Sequence, residues 1–137
     1  MLYVTNVPFL DIPAIGARFV AVRQSILTLA DTLDRGQPDH QWLESALHTV
    51  DSLALTLETT AGHADQHAER KAVKLSGELH QVAAVARAAA GRVRPLVLSA
   101  STDSAAFRAI YAEVWDQLFP RWKKAIEDFR KAMGEVL

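Results

Sequence analysis

Apolar residues recur along this chain at alternating steps of three and four. The clearest run is Ala72, Leu75, Leu79, Val82, Ala86, Ala89, Val93 and Leu96. That spacing places every member on one stripe of an α-helix, the seam a helix offers to its neighbours. A second stripe reads Ile15, Phe19, Val22, Ile26, Leu29 and Leu33. A third reads Leu43, Leu47, Val50, Ala54 and Leu57, widened by Trp42, Ala46 and Leu53. The last quarter carries Phe107, Tyr111, Val114 and Leu118, then Trp122, Ile126, Phe129, Met133 and Val136.

Punctuation between the stripes sets the expected helix bounds at 11–35, 39–61, 63–92 and 102–136. Asp11 is a good N-cap, and Pro13 suits a first turn. Gly36 and Pro38 stop the first helix, Gly62 the second, and Gly91 with Pro95 the third. Pro120 interrupts the fourth and is expected to kink it. Residues 1–10 read as an extended arm, because Val4, Val7 and Pro8 disfavour helix. Its Leu2, Tyr3, Phe9 and Leu10 call for cover in a groove of their own bundle or on a second subunit. Short connections imply antiparallel neighbours. The expected fold is therefore one all-α domain, an antiparallel up-down-up-down four-helix bundle with an N-terminal arm. The initial Met and the capped helices fit a complete domain.

At 137 residues the chain is long enough to bury a core without metal or disulfide support. It has no cysteine, which excludes disulfides, thiolate nucleophiles and iron–sulfur clusters. A reducing, cytoplasmic location is the matching expectation. No apolar run in the sequence reads as a membrane span, and the first residues lack a signal peptide's basic start. Residues 1–60 hold seven acids against three bases, and residues 61–137 nine against twelve. That asymmetry helps helices of opposite sign dock. It falls short of the basic excess of a nucleic-acid binder, so nucleic acid is not the expected partner.

The fourth helix carries more large rings than one seam needs. Trp115, Phe119, Trp122 and Phe129 sit at steps of four, three and seven, beside Arg121, Lys123, Lys124, Arg130 and Lys131. As an exposed patch rimmed by cations they would bind a partner protein or a second copy of the chain. If Pro120 turns the helix, the same rings rotate into the core instead. Glu127 and Asp128 break up the basic residues and argue further against nucleic acid.

The histidines invite chemistry. His63 and His67 stand four apart at the expected start of the third helix and could share a metal ion, although no third ligand is evident. His80 flanks a seam, with Glu44 as its expected contact. His48 falls in the middle of the second helix. The stretch 46–52 around it resembles the histidine segment of histidine-containing phosphotransfer domains, which are four-helix bundles. The resemblance implies that His48 would carry a phosphoryl group. Where that family has lysine and glycine, three and four residues on, this chain has Asp51 and Ser52. Arg35 and His40 match the spacing of the arginine–histidine pair of helical ribonuclease-type domains, but here the pair spans a Gly/Pro turn. There is no Gly-x-Ser-x-Gly, no glycine-rich phosphate loop and no Glu-x-x-His pair of the di-iron kind. The expectation is a non-enzymatic interaction or regulatory protein without a cofactor.

Overall fold

The computed structural model describes residues 12–36, 40–66 and 70–132. All the regular structure among them is helical: α1 (Ile12–Asp34), α2 (His40–Gln66), α3 (Arg70–Leu98), α4 (Ser104–Tyr111), a π-helical segment (Ala112–Leu118) and α5 (Phe119–Ala132). The last three follow without a break and form the fourth helical run. The expected arm (1–10), Pro38 and the tail beyond residue 132 lie outside the described residues.

Most of the predicted stripe residues are core, whereas Leu47, Leu96 and Tyr111 are only partly buried and Met133 and Val136 lie outside the described residues. Ile15, Phe19, Val22, Ile26, Leu29 and Leu33 of α1 are buried together with Leu43, Val50, Leu53 and Leu57 of α2. α3 adds Leu75, Leu79, Val82, Ala86, Ala89 and Val93. α2 and α3 share the most extensive contact, and α1 packs on both α2 and α4. A run of alanines (Ala46, Ala54, Ala61 and Ala64 on α2; Ala83, Ala86, Ala89 and Ala90 on α3) is fully buried and lets the α2 and α3 backbones approach closely. Two hydroxyls sit between α1 and α2, where Ser25 and Thr49 bond to each other at 2.7 Å. By length and composition α1 could cross a membrane, a property its sequence had not suggested; its apolar seam is buried against the other helices.

The helix ends depart from expectation around Gly62, so that α3 begins at Arg70 and not at 63, and again past Gly91. α2 does not stop at Gly62 but runs to Gln66. The reason is the seam, which continues through Leu57, Ala61 and Ala64, all buried. A glycine inside a helix costs only about 1 kcal/mol relative to alanine, which such burial offsets. α3 likewise passes Gly91 and Pro95 and ends at Leu98. Both residues are exposed, so the carbonyl that loses its partner at Pro95 lies on a solvated face. The actual stop is a reversal at Ala100, whose φ is 50°. There the Ser101 N–H reaches the Leu96 carbonyl at 2.8 Å and the Ala100 N–H the Val97 carbonyl at 3.0 Å. This is a Schellman closure with alanine where glycine is usual. α1 ends on Gly36, φ 72°, as its sequence predicts.

In the fourth run Asp103 caps α4 by accepting from the Ala106 N–H at 3.2 Å. The seam then steps Ile110, Val114, Leu118 and Trp122, all buried. Each step of four overshoots the α-helical turn by about 40°. The π-helical segment takes up that excess: the Phe119 N–H bonds to Val114, five residues back. It ends just before Pro120, which has no N–H to give. The expected disturbance at Pro120 thus takes the form of a π segment ahead of it.

Ion pairs lie outside this core. Arg87 holds Glu58 at 2.8 Å and Asp51 at 3.3 Å, and Arg94 also reaches Asp51 at 3.3 Å. Arg108 bridges Asp31 at 2.9 Å and Asp34 at 2.7 Å. The Ser104 hydroxyl and Arg108 hold the Asp34 carboxyl below its ordinary value of 3.8.

The helix ends and the Asp34 pair set expectations for denaturation experiments. Gly62→Ala meets open space and is expected to raise unfolding stability by about 0.5–1 kcal/mol, as is Ala100→Gly at the reversal. Gly36→Ala, forced into left-handed backbone, should lower it by about 1 kcal/mol. In acid, a carboxylate whose folded pKa is depressed lends stability that is complete above its unfolded value. That stability is lost as pH falls through the folded value. Stability should therefore decline as pH drops below 3.8, and Asp34→Asn should flatten part of that slope.

Candidate interaction groove

The rings of the fourth run divide into two pairs. Trp122 and Phe129 are buried, at 3% and 6% exposure, and belong to the seam that begins at Phe107. Trp115 and Phe119 follow Val114 and Leu118 by one residue, so they fall on the seam's flank and stay half-buried. Trp115 and Phe119 stack with centroids 4.6 Å apart. Phe119 continues to Trp122 at 5.9 Å. Underneath, Phe19 of α1 meets Phe119 at 5.0 Å and Trp122 at 5.5 Å. Four rings therefore form one cluster across the α1–α5 boundary.

Three of these rings, Trp115, Phe119 and Trp122, line a groove of about 830 Å³, with Ile126 beside them and Ile12 and Gly16 on the α1 side. Cations stand over its half-buried rings. The Arg23 guanidinium lies 5.1 Å from the Trp115 centroid and the Lys123 ammonium 5.5 Å from that of Phe119. Such contacts are worth about 0.5–1 kcal/mol at exposed sites. Asp116, Lys124 and Glu127 complete a rim of mixed sign. Lys124 is engaged by Asp128 at 2.9 Å, which raises its pKa. Arg121, expected among the free cations, ties α5 to Glu78 and Gln81 of α3. At the floor, the buried Trp122 Nε1 has no hydrogen-bond partner among the described residues. An unmade buried donor costs about 1–3 kcal/mol.

The histidines are dispersed. His48 is exposed in mid-α2, one turn before Asp51, whose carboxylate is drawn to Arg87 and Arg94. His63 is exposed in the last turn of α2, not at the start of α3, because α2 continues past Gly62. Position 67 lies outside the described residues, and no group of three or more metal-ligating side chains gathers among those described. His80 pairs with Asp65 at 2.7 Å, not with Glu44. Asp65 also accepts from Ser76, one turn before His80 on α3, and Ser76 and His80 together hold its carboxyl below the ordinary range. Serine and imidazole both bind the carboxylate here. A serine nucleophile would need the imidazole to face its hydroxyl, whereas here both side chains face the carboxylate and join α3 to α2.

Sequence reasoning found the fourth-run rings and placed Phe19 on the α1 stripe, but not the contacts of Phe19 and Arg23 with those rings, which arise only when α1 is laid beside the fourth run. Phe19→Ala is expected to cost about 3–5 kcal/mol of stability, measured by urea unfolding, since Phe19 is wholly buried. Trp115→Ala, at the half-exposed lip, should cost roughly half of that.

In comparison with known proteins, no family model matches the chain, and no curated protein or solved structure matches it at a significant level.

Proposed function

We propose that this chain is a small non-enzymatic interaction protein of the cytoplasm, and that it works as a homodimer through the aromatic groove between α1 and α5. The observation that carries the reading is the stacked Trp115–Phe119 pair, left half-buried at the lip of an apolar groove with Arg23 and Lys123 over the rings. Aromatic and arginine side chains are the usual anchors of protein interfaces. A rim that combines Lys123 and Lys124 with Asp116 and Glu127 is self-complementary in charge, as a two-fold contact requires. It is a poor match for a polyanion. Trp122 and Phe129 act in this proposal as the support beneath the surface and not as contacts.

The scaffold we propose is an antiparallel up-down-up-down bundle. The order of partners supports it: Asp65 with Ser76 and His80, Glu58 with Arg87, and Asp51 with Arg94 run in opposite senses along α2 and α3. Asp34 with Arg108, and Phe19 with Phe119, do the same for α1 and the fourth run.

A second reading makes His48 a phosphoryl carrier. It is favoured by the exposure of His48 and by the two arginines that offset the Asp51 charge next to it.

Light scattering with tryptophan fluorescence over a dilution series tests the first reading. The expected result is a dimer whose emission shifts red as it dissociates. Trp115→Ala with Phe119→Ala should weaken association at least about tenfold, the loss of one modest anchor. His48→Gln should leave association unchanged. A monomer at every concentration would sink the proposal.

A further inference from the structure

We infer that the two copies lay their fourth helical runs antiparallel on one another, about a two-fold axis that passes between Phe119 and Pro120, with Asp116 of each chain paired to the partner's Lys123. This rests on the homodimer reading above and names the surface of the second copy that the groove receives.

Some of the charges near the groove are satisfied within the chain. Arg121 holds Glu78, and Lys124 holds Asp128. Asp116, Lys123, Glu127 and, on α1, Arg23 are exposed and make no ion pair among the described residues. Asp116, Lys123 and Glu127 line the groove, while Lys123 and Arg23 rest on its rings. Two charges of each sign thus surround an apolar strip without their counter-charges. A ligand of a single sign would satisfy half of this rim and oppose the other half.

The order of these charges along the chain points to a second copy. When a two-fold axis relates antiparallel helices, a residue ahead of the axis faces the residue equally far behind it on the partner. Asp116 and Lys123 stand at equal distances in sequence on either side of the Phe119–Pro120 bond. An axis there brings each Asp116 level with the partner's Lys123, and the two pairs lie about 10 Å apart along the helix. The same axis brings Glu127 level with the partner's Ala112. That position is one turn from Trp115, the ring over which Arg23 lies, so Glu127 comes within reach of the partner's Arg23. One placement gives all four charges an opposite. An axis parallel to the helices would instead set Asp116 against Asp116 and Lys123 against Lys123, and like charges in contact disfavour association.

The apolar surface fits the same placement. Half-buried Phe119 and exposed Pro120 stand at the axis, where each meets the other across the contact. Packed helices approach to about 8–10 Å between axes, which brings the partner's run close to α1 as well. Gly16, on the α1 wall of the groove, has open space where a β-carbon would stand.

Reversing the charges tests the register. Asp116→Lys alone, or Lys123→Asp alone, sets like charges opposite one another at both contacts. Each variant is expected to self-associate at least about tenfold more weakly than the parent chain, measured by light scattering over a dilution series. Mixed in equal amounts, the two variants are expected to dimerise again, because each then meets the opposite sign on the other. The double variant Asp116→Lys with Lys123→Asp should likewise regain the parent's affinity. Asp116→Arg and Lys123→Glu repeat the exchange with different side chains, should a first variant fail to fold. Single variants that dimerise like the parent would overturn the register while leaving the homodimer reading standing. So would weakened variants that neither the mixture nor the double change restores. A parent chain that is monomeric at every concentration removes both.

Discussion

A helix can bury residues at successive steps of four only if something absorbs the accumulated lag, and the fourth helical run of this protein is built around that constraint. Ile110, Val114, Leu118 and Trp122 all face inward. An unbroken α-helix would carry the last of them about 120° off the seam. Widening the hydrogen-bonded turn between Ala112 and Leu118 returns Trp122 and Phe129 to the core. It also decides what stays outside. Trp115 and Phe119, each one residue past a seam position, are left on the flank beside α1. The groove is thus a by-product of how the core closes around Pro120.

The other side of the molecule follows a different rule. α2 and α3 meet through alanine, and small side chains give little area per residue to exclude from water. Closeness and length compensate, since the contact extends along most of both helices. The ion pairs that flank it are partly exposed. Exposed pairs contribute little each and set register more than stability.

Much of this architecture is legible in the chain. Steps of three and four name the helices and nearly all of the core, because burial on a helix leaves that spacing whatever the partner. Helix ends are less legible. Gly62 and Gly91 look like stops, but a glycine costs only about 1 kcal/mol when the seam beneath it continues. Ala100, which does end α3, carries no signal at all. The groove was half visible: the ring spacing is in the sequence, whereas the division between buried and half-buried rings depends on a π turn that no local pattern announces. The extension of α2 past Gly62 likewise undoes the expected placement of His63.

The ring cluster joins parts of the chain that are far apart in sequence, since Phe19 and Phe119 are separated by one hundred positions. The α2–α3 contacts close much shorter loops, such as Asp65 to Ser76. Loop-closure entropy therefore sets a larger cost on seating α1 against the fourth run than on closing α2 against α3. The buried ring cluster that offsets this cost is the clasp between the two ends of the described chain.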